Sequence, residues 1–210
     1  YKTLEDGDSL ALHIFKPRNM QAGEKRPAIV YFFGGGWKLG TPIQFYRECA
    51  YYASKGMVAV SVDYRIGYLH HSTPFESFED AKDAICWLRS HALDYQLDPD
   101  KIAVAGGSAG GHLAAALGTI GSDETVPAGY RPNLSVLYYP VIDMVSRGYG
   151  FPEIKRDFEK ISPIHHVSEA TPSTLILLGT KDPIVSVETI EAYQDKLLQK
   201  GVDCELHLFE

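Results

Sequence analysis

A short apolar run, Lys101-Ile-Ala-Val-Ala105, passes directly into Gly106-Gly107-Ser108-Ala109-Gly110-Gly111, where every residue but the serine is Gly or Ala. An unalternating β-rich run predicts a strand covered on both faces. The small residues after it predict a turn too tight for side chains. From Gly110 to about Leu117 the pattern is that of a small-residue helix. Strand, sharp turn and helix in this order belong to a parallel sheet with helices packed against it.

The rest of the chain repeats the alternation. Leu10 to Phe15 alternates and predicts an early, half-exposed strand, and Pro27 to Phe33 is a second continuous β-rich run, broken by Gly34-Gly35-Gly36. Met57 to Tyr64, Leu134 to Tyr139, Ser173 to Leu178 and Cys204 to Phe209 predict further strands. Helical spacing predicts helices from about Gln44 to Lys55, through Phe78, Ala81, Ile85, Leu88 and Ala92, and from Val187 to Lys200. Asp98-Pro99-Asp100 reads as a turn. Residues from about 141 to 172 carry no clear period and predict an excursion over the sheet edge, a kind of loop that often carries function. The expected architecture is one α/β domain over residues 1–210, with a mostly parallel central sheet and helices on both faces.

At 210 residues, 45% hydrophobic and 22% charged, the chain can bury the core of one domain. A net charge of -7 supplies no broad positive field, so nucleic acid is not an expected partner. No apolar run approaches the roughly 20 residues of a membrane span, so no membrane is expected either. Cys49, Cys86 and Cys204 are too scattered for a disulfide framework or a zinc site. Cys86, between Ile85 and Trp87, reads as a small buried hydrophobe. His70-His71 and His165-His166 are superficially ligand-like, but adjacent side chains diverge and no third ligand is spaced to join them, so no metal is expected. Tyr1 in place of Met marks a processed or excerpted chain.

Gly106-Gly107-Ser108-Ala109-Gly110 fits the G-x-S-x-G pattern of a nucleophile elbow, and its setting between strand and helix is the one that pattern requires. The following helix points its positive end at the seryl oxygen. The bland alternative is a glycine-rich turn with an incidental serine; a phosphate loop fits worse, because no Gly-Lys-Ser/Thr follows. A tetrahedral intermediate at Ser108 needs amide donors for its oxyanion. One is the residue after the nucleophile, Ala109, and others are expected from Phe33-Gly34-Gly35-Gly36-Trp37. An acid partner should lie at the end of a later strand, where both Asp182 and Asp143 stand. Trp37, Tyr64 and the stretch from Tyr149 to Phe158 are candidates to line a substrate pocket, or equally to be core. His207 sits inside a strand between Leu206 and Leu208 and reads as a face residue rather than a base.

Taken in order, YFFGGGW, SVDYR, DAKDAICWLR, GGSAGGHLAAA and GTKDPIV resemble the esterase and lipase branch of the α/β-hydrolases. The chain is especially similar to small acetyl-xylan and feruloyl esterases and to the hormone-sensitive-lipase-like group. That resemblance implies an α/β-hydrolase fold with an eight-stranded sheet and cofactor-free hydrolysis. It also implies Ser108 as nucleophile, Asp182 as acid, and an oxyanion hole from the amides of Gly35, Gly36 and Ala109. His112 follows the group's G-G-H pattern and would support the turn. Phe33 departs from the hormone-sensitive-lipase-like group, which has a structural His before the glycines.

The catalytic histidine of such families follows a Gly-rich turn after the last strand, and the sequence stops at Glu210, so a truncated C-terminal end is expected. The resulting expectation is a serine esterase for short-acyl or aromatic esters, including acetyl or feruloyl groups on polysaccharide, inactive without that histidine. The alternatives are a serine peptidase on the same scaffold and a catalytically dead hydrolase-fold binding protein. The resemblance also leans towards a secreted or periplasmic location.

Overall fold

The computed structural model describes residues 1–121, 128–144 and 157–210. Two short strands, β1 (Lys2–Thr3) and β2 (Ser9–Leu10), pair with each other outside the main sheet. The main sheet is built from β3 (Leu12–Phe15), β4 (Arg26–Phe32), β5 (Val58–Val62), β6 (Leu97–Gly107), β7 (Leu134–Tyr138), β8 (Ser173–Gly179) and β9 (Cys204–Phe209). Among the described residues it has seven strands in the order β3-β5-β4-β6-β7-β8-β9. β3 runs antiparallel to β5, and every other pair is parallel. The helices are α1 (Tyr46–Ser54), α2 (Gly67–His70), α3 (Pro74–Ser90), α4 (Ala92–Tyr95), α5 (Ala109–Thr119), α6 (Phe158–Ile161) and α7 (Val187–Gln199).

Burial follows position in the sheet. All five residues of β5 and the last five of β4 are buried, as strands covered on both faces must be. At the edge, β9 leaves Leu208 and Phe209 exposed. β6 occupies the middle of the order, so its carboxyl end opens at the centre of the sheet, where open α/β sheets bind ligands. No helix among the described residues is long and apolar enough to cross a membrane.

α3 is fixed at both ends and in the middle. Thr73 and Glu76 form a capping box ahead of Pro74 at the first turn. Within the helix, fully buried Asp80 accepts from Arg65 Nε at 2.8 Å and from Lys2 Nζ at 2.6 Å. This pair of cations ties the amino-terminal strand and the segment after β5 to the helix.

Several local expectations change. The predicted strand Leu10 to Phe15 divides at Ala11, since Leu10 joins β1 while Leu12 to Phe15 joins β5. The eight strands implied by resemblance are seven here, among the described residues. Asp98-Pro99-Asp100 does not end the ladder: β6 begins at Leu97, paired with Arg26, and a register shift between Arg26 and Ala28 absorbs the irregularity. Cys86 is exposed, not buried, because the inward stripe of α3 runs through Ile85 and Leu88 and leaves the next position outside. Of the excursion predicted over 141–172, the described part contains α6 and a 3₁₀ turn, Pro163–His165. Tyr149 lies outside the described residues.

Candidate active site

The site is built outward from the end of β6. Ser108 has φ 55° and ψ -119°, a left-handed conformation that disfavours any residue with a Cβ. The surroundings hold it there. Its amide donates to the Tyr138 carbonyl at 3.0 Å, and its carbonyl accepts from the His112 amide at 2.9 Å. The flanking glycines leave no room for side chains: a Cβ on Gly110 would lie 2.0 Å from the Phe32 carbonyl oxygen, and one on Gly106 would lie 2.3 Å from the Gly110 carbonyl oxygen. No hydrogen bond holds the Ser108 hydroxyl among the described residues.

The glycine loop after β4 lies against this elbow. A Cβ on Gly34 would stand 3.4 Å from Ser108 Cβ and 2.8 Å from the Gly107 carbonyl oxygen, so the two backbones are in contact. Gln44 fixes the start of the loop by accepting the Gly34 amide on Oε1 at 2.6 Å. The Gly35 carbonyl accepts from the Lys38 and Leu39 amides at 3.2 and 3.1 Å, which curls the loop back on itself. Gly35 has φ 137°, and a Cβ there would meet the Leu39 carbonyl oxygen at 2.0 Å, so this turn requires glycine. The Gly35 and Gly36 amides have no acceptor among the described residues. Ala109 opens α5, where geometry leaves the first amides of a helix without intrahelical acceptors.

Asp182 stands in the turn after β8. Its Oδ1 accepts from the Ile184 and Val185 amides at 2.8 and 2.9 Å, which fixes the carboxylate and leaves Oδ2 for another partner. Against the elbow lies Tyr139, a residue with no motif to mark it. Tyr139 follows β7 with φ 37°, and a Cβ on Gly107 would meet its hydroxyl oxygen at 2.8 Å. Burial and then the Asp182 carboxylate push the Tyr139 phenol up. The competing acid, Asp143, faces His165 Nε2 at 4.0 Å.

Two expected pocket residues belong largely to the core. Tyr64 is fully buried, stacks on Phe33 with centroids 4.1 Å apart, and donates its hydroxyl to the Phe33 carbonyl at 2.5 Å. It is a brace beneath the glycine loop and not a pocket wall. Trp37 is 2% exposed and meets the His112 ring edge-on at 5.1 Å, forming only the floor of a hollow of about 250 Å³ beside Gly36 and Tyr68.

Among the described residues, none of the eight histidine side chains hydrogen-bonds to the Ser108 hydroxyl. His112 is buried, and its Nε2 lies 2.6 Å from the Ile161 carbonyl oxygen, which makes Nε2–H the donor. Burial lowers its pKa to about 4, so the ring is neutral and ties the start of α5 to α6 through Ile161. His70 Nδ1 accepts from the Ile66 amide, His166 Nε2 faces the Glu159 carbonyl, and His207 lies exposed beside Glu205. No group of three His, Cys, Asp or Glu capable of holding a metal is found among the described residues.

A parallel sheet whose central strand ends in a strained serine, flanked by a glycine loop and followed by a strand-end aspartate, defines the α/β-hydrolase fold of esterases. The match to known proteins narrows this: residues 12–147 match the BD-FAE family, and the chain belongs to it. An esterase from the Planctomycetes species Thermogutta terrifontis, Est2, superposes with a TM-score of 0.90 at 37% identity, covering 98% of this chain and 78% of that one. The same esterase has been solved with propionate bound. Esterase LipC of Mycobacterium tuberculosis is 28% identical over 91% of this chain and 53% of its own length. Acetylxylan esterase of Xylanibacter ruminicola is 26% identical over 98% of this chain and 43% of its own length. The chain thus spans about half the length of the curated relatives it matches.

Proposed function

We propose that this protein is a serine carboxylesterase of short-acyl or small aromatic esters, with Ser108 as nucleophile. The observation that carries the reading is the strained Ser108 held against a glycine loop in which the Gly35 and Gly36 amides have no acceptor among the described residues. Ser108 Oγ attacks the ester carbonyl carbon, and the carbonyl π electrons move to oxygen. The resulting oxyanion is received by the amides of Gly35, Gly36 and Ala109. Collapse expels the alcohol, which takes a proton, and leaves an acyl-serine that water then hydrolyses. In this reading the proton passes through a histidine base oriented by Asp182.

The relatives support short esters: one is named an acetylxylan esterase, and the structural neighbour has been solved with propionate. Acetyl or feruloyl groups on polysaccharide are the extended form of the same proposal. A serine peptidase on this scaffold remains the second reading, favoured by the likeness to the acylamino-acid-releasing enzyme of Arabidopsis thaliana.

The test uses the full-length protein. A fluorophosphonate should label Ser108 and fail to label Ser108→Ala, and hydrolysis of a p-nitrophenyl ester series should fall as the acyl chain lengthens. Labelling that survives the substitution removes Ser108 from the mechanism. A rate that rises with chain length removes the short-acyl assignment, and faster cleavage of acyl-peptides than of esters selects the peptidase.

A further inference from the structure

Ser108 follows the carboxyl end of β6, and β4, β5 and β6 run parallel, so the strands β4 and β5 begin at the opposite end of the sheet. A hollow of about 770 Å³ lies there, between Arg26 at the start of β4, Gly56 ahead of β5, and the chain leaving β3 at Phe15. Small-molecule sites span roughly 300–1,000 Å³, so the hollow is of a size to hold one. Nothing in ester hydrolysis uses it.

Charge sets this hollow apart. Lys16, Arg18, Arg26 and Lys55 line it, and among the described residues no Asp or Glu does, although the chain as a whole carries a net charge of -7. Three of the four cations are aimed by neighbours. Lys16 Nζ lies 5.0 Å from the Tyr95 ring centroid and donates to the Asp94 carbonyl at 3.4 Å. Lys55 Nζ lies 5.4 Å from the Tyr51 ring centroid. Arg26 donates from Nε and Nη2 to Glu24 Oε2 at 3.2 and 2.6 Å, and Nη1 is left on the Gly56 side, where a Cβ would stand 3.8 Å from it. Arg18 has no partner among the described residues.

The carbonyls that end α1 do not answer these donors. Those of Tyr51, Tyr52 and Ala53 already accept from the Lys55, Gly56 and Met57 amides. Glu24 offsets one of the four charges and leaves the concavity cationic. A concave wall of one sign focuses its field on whatever enters. An anion relieves the repulsion among the cations, and a guanidinium pairs with a carboxylate or a phosphate through two parallel hydrogen bonds. Phe15, Pro17 and Ala53 add apolar wall, which suits an organic body behind the charged groups.

We infer that this hollow is a binding site for a small organic anion of two or more negative charges, at the end of the sheet remote from Ser108. Phosphate and carboxylate groups offer the same chemistry to it. The inference stands apart from the esterase reading, because none of its residues belongs to the elbow or the glycine loop.

Calorimetric or NMR titration of the full-length protein tests it, with phenyl phosphate and phthalate as dianionic probes and benzamide as the neutral one. At least one dianion should bind about tenfold or more tightly than benzamide, the range for hydrogen bonds to charged groups. The stronger of the two shows which anion the hollow prefers. Its affinity should fall as sodium chloride is raised. Arg18→Gln and Lys55→Gln, both at exposed positions, should each weaken the dianion and leave benzamide alone. Lys160→Gln removes the same charge from α6, away from the hollow, and should leave the dianion's affinity unchanged. Dianions that bind no better than benzamide overturn the inference. So does a dianion whose affinity survives both substitutions at the hollow, or falls equally in Lys160→Gln, since the anion then sits elsewhere or senses only the overall charge.

Discussion

The Tyr64 hydroxyl donates to the Phe33 carbonyl at 2.5 Å, inside a fully buried stack of the two rings. This contact braces the residue from which the glycine loop departs, and it joins the end of β4 to the segment after β5. Replacing Tyr64 with Phe keeps the stack and orphans the carbonyl. The expected loss is about 1–3 kcal/mol of stability, read as a lower urea midpoint at unchanged slope. Unchanged stability would mean that the carbonyl finds another donor.

Gly110 approaches the Phe32 carbonyl so closely that a Cβ would lie 2.0 Å from its oxygen and 2.4 Å from that of Phe33, both rigid backbone atoms. Gly110→Ala should therefore cost about 3 kcal/mol or more. Gly179 has nothing within 4 Å of the same position and an ordinary φ. Gly179→Ala should stay within about 0.5 kcal/mol of the parent. Thermal unfolding of the two variants side by side checks the contrast.

His112 gives the protein a pH dependence of known sign. Its pKa is about 4 in the folded protein, against an unfolded value of 6.5, because burial disfavours the charged ring. Above pH 6.5 neither state is protonated and stability is unaffected by this group. As pH falls from 6.5 towards 4 the unfolded chain takes up a proton that the folded chain refuses, so stability falls, by about 3 kcal/mol in all. Urea midpoints measured across this window should slope downward with acid, and the slope should flatten in His112→Gln. A wild-type profile that is flat from pH 6.5 to 4 would contradict the assignment.

Asp182 and Asp143 are separated by charge removal. Asp182→Asn keeps the Oδ1 acceptor of the turn formed with Ile184 and Val185 while discharging the carboxylate. If Asp182 orients the base, esterase turnover of the full-length protein should drop on the order of 10⁴-fold with little change in stability, the effect seen for this substitution in a serine protease triad. Asp143→Asn should leave turnover within about tenfold. The reverse ranking would move the acid to Asp143.

The strands and the elbow were legible because their causes are local. A run such as Ile29 to Phe33 has no polar face to offer solvent, so it must be covered on both sides wherever it lies. The small residues around Ser108 mark a tight turn in one dimension as clearly as in three. Cys86 was misread because one step around a helix, from Ile85, changes an inward position to an outward one, and the period alone leaves that boundary open.

The sequence by itself determined a parallel α/β sheet, a serine at a strand-to-helix turn, and a glycine loop after an earlier strand. Each follows from residues adjacent in the chain, through backbone sterics and apolar periodicity. Only the tertiary structure decided that Tyr64 is a buried brace, that Tyr139 lies over Gly107, and that Tyr31 and Tyr138 share one face of the sheet on either side of β6. Those neighbours are set by the register between strands far apart in sequence. An aromatic residue looks the same in the chain whether that register turns it to the core or to the site.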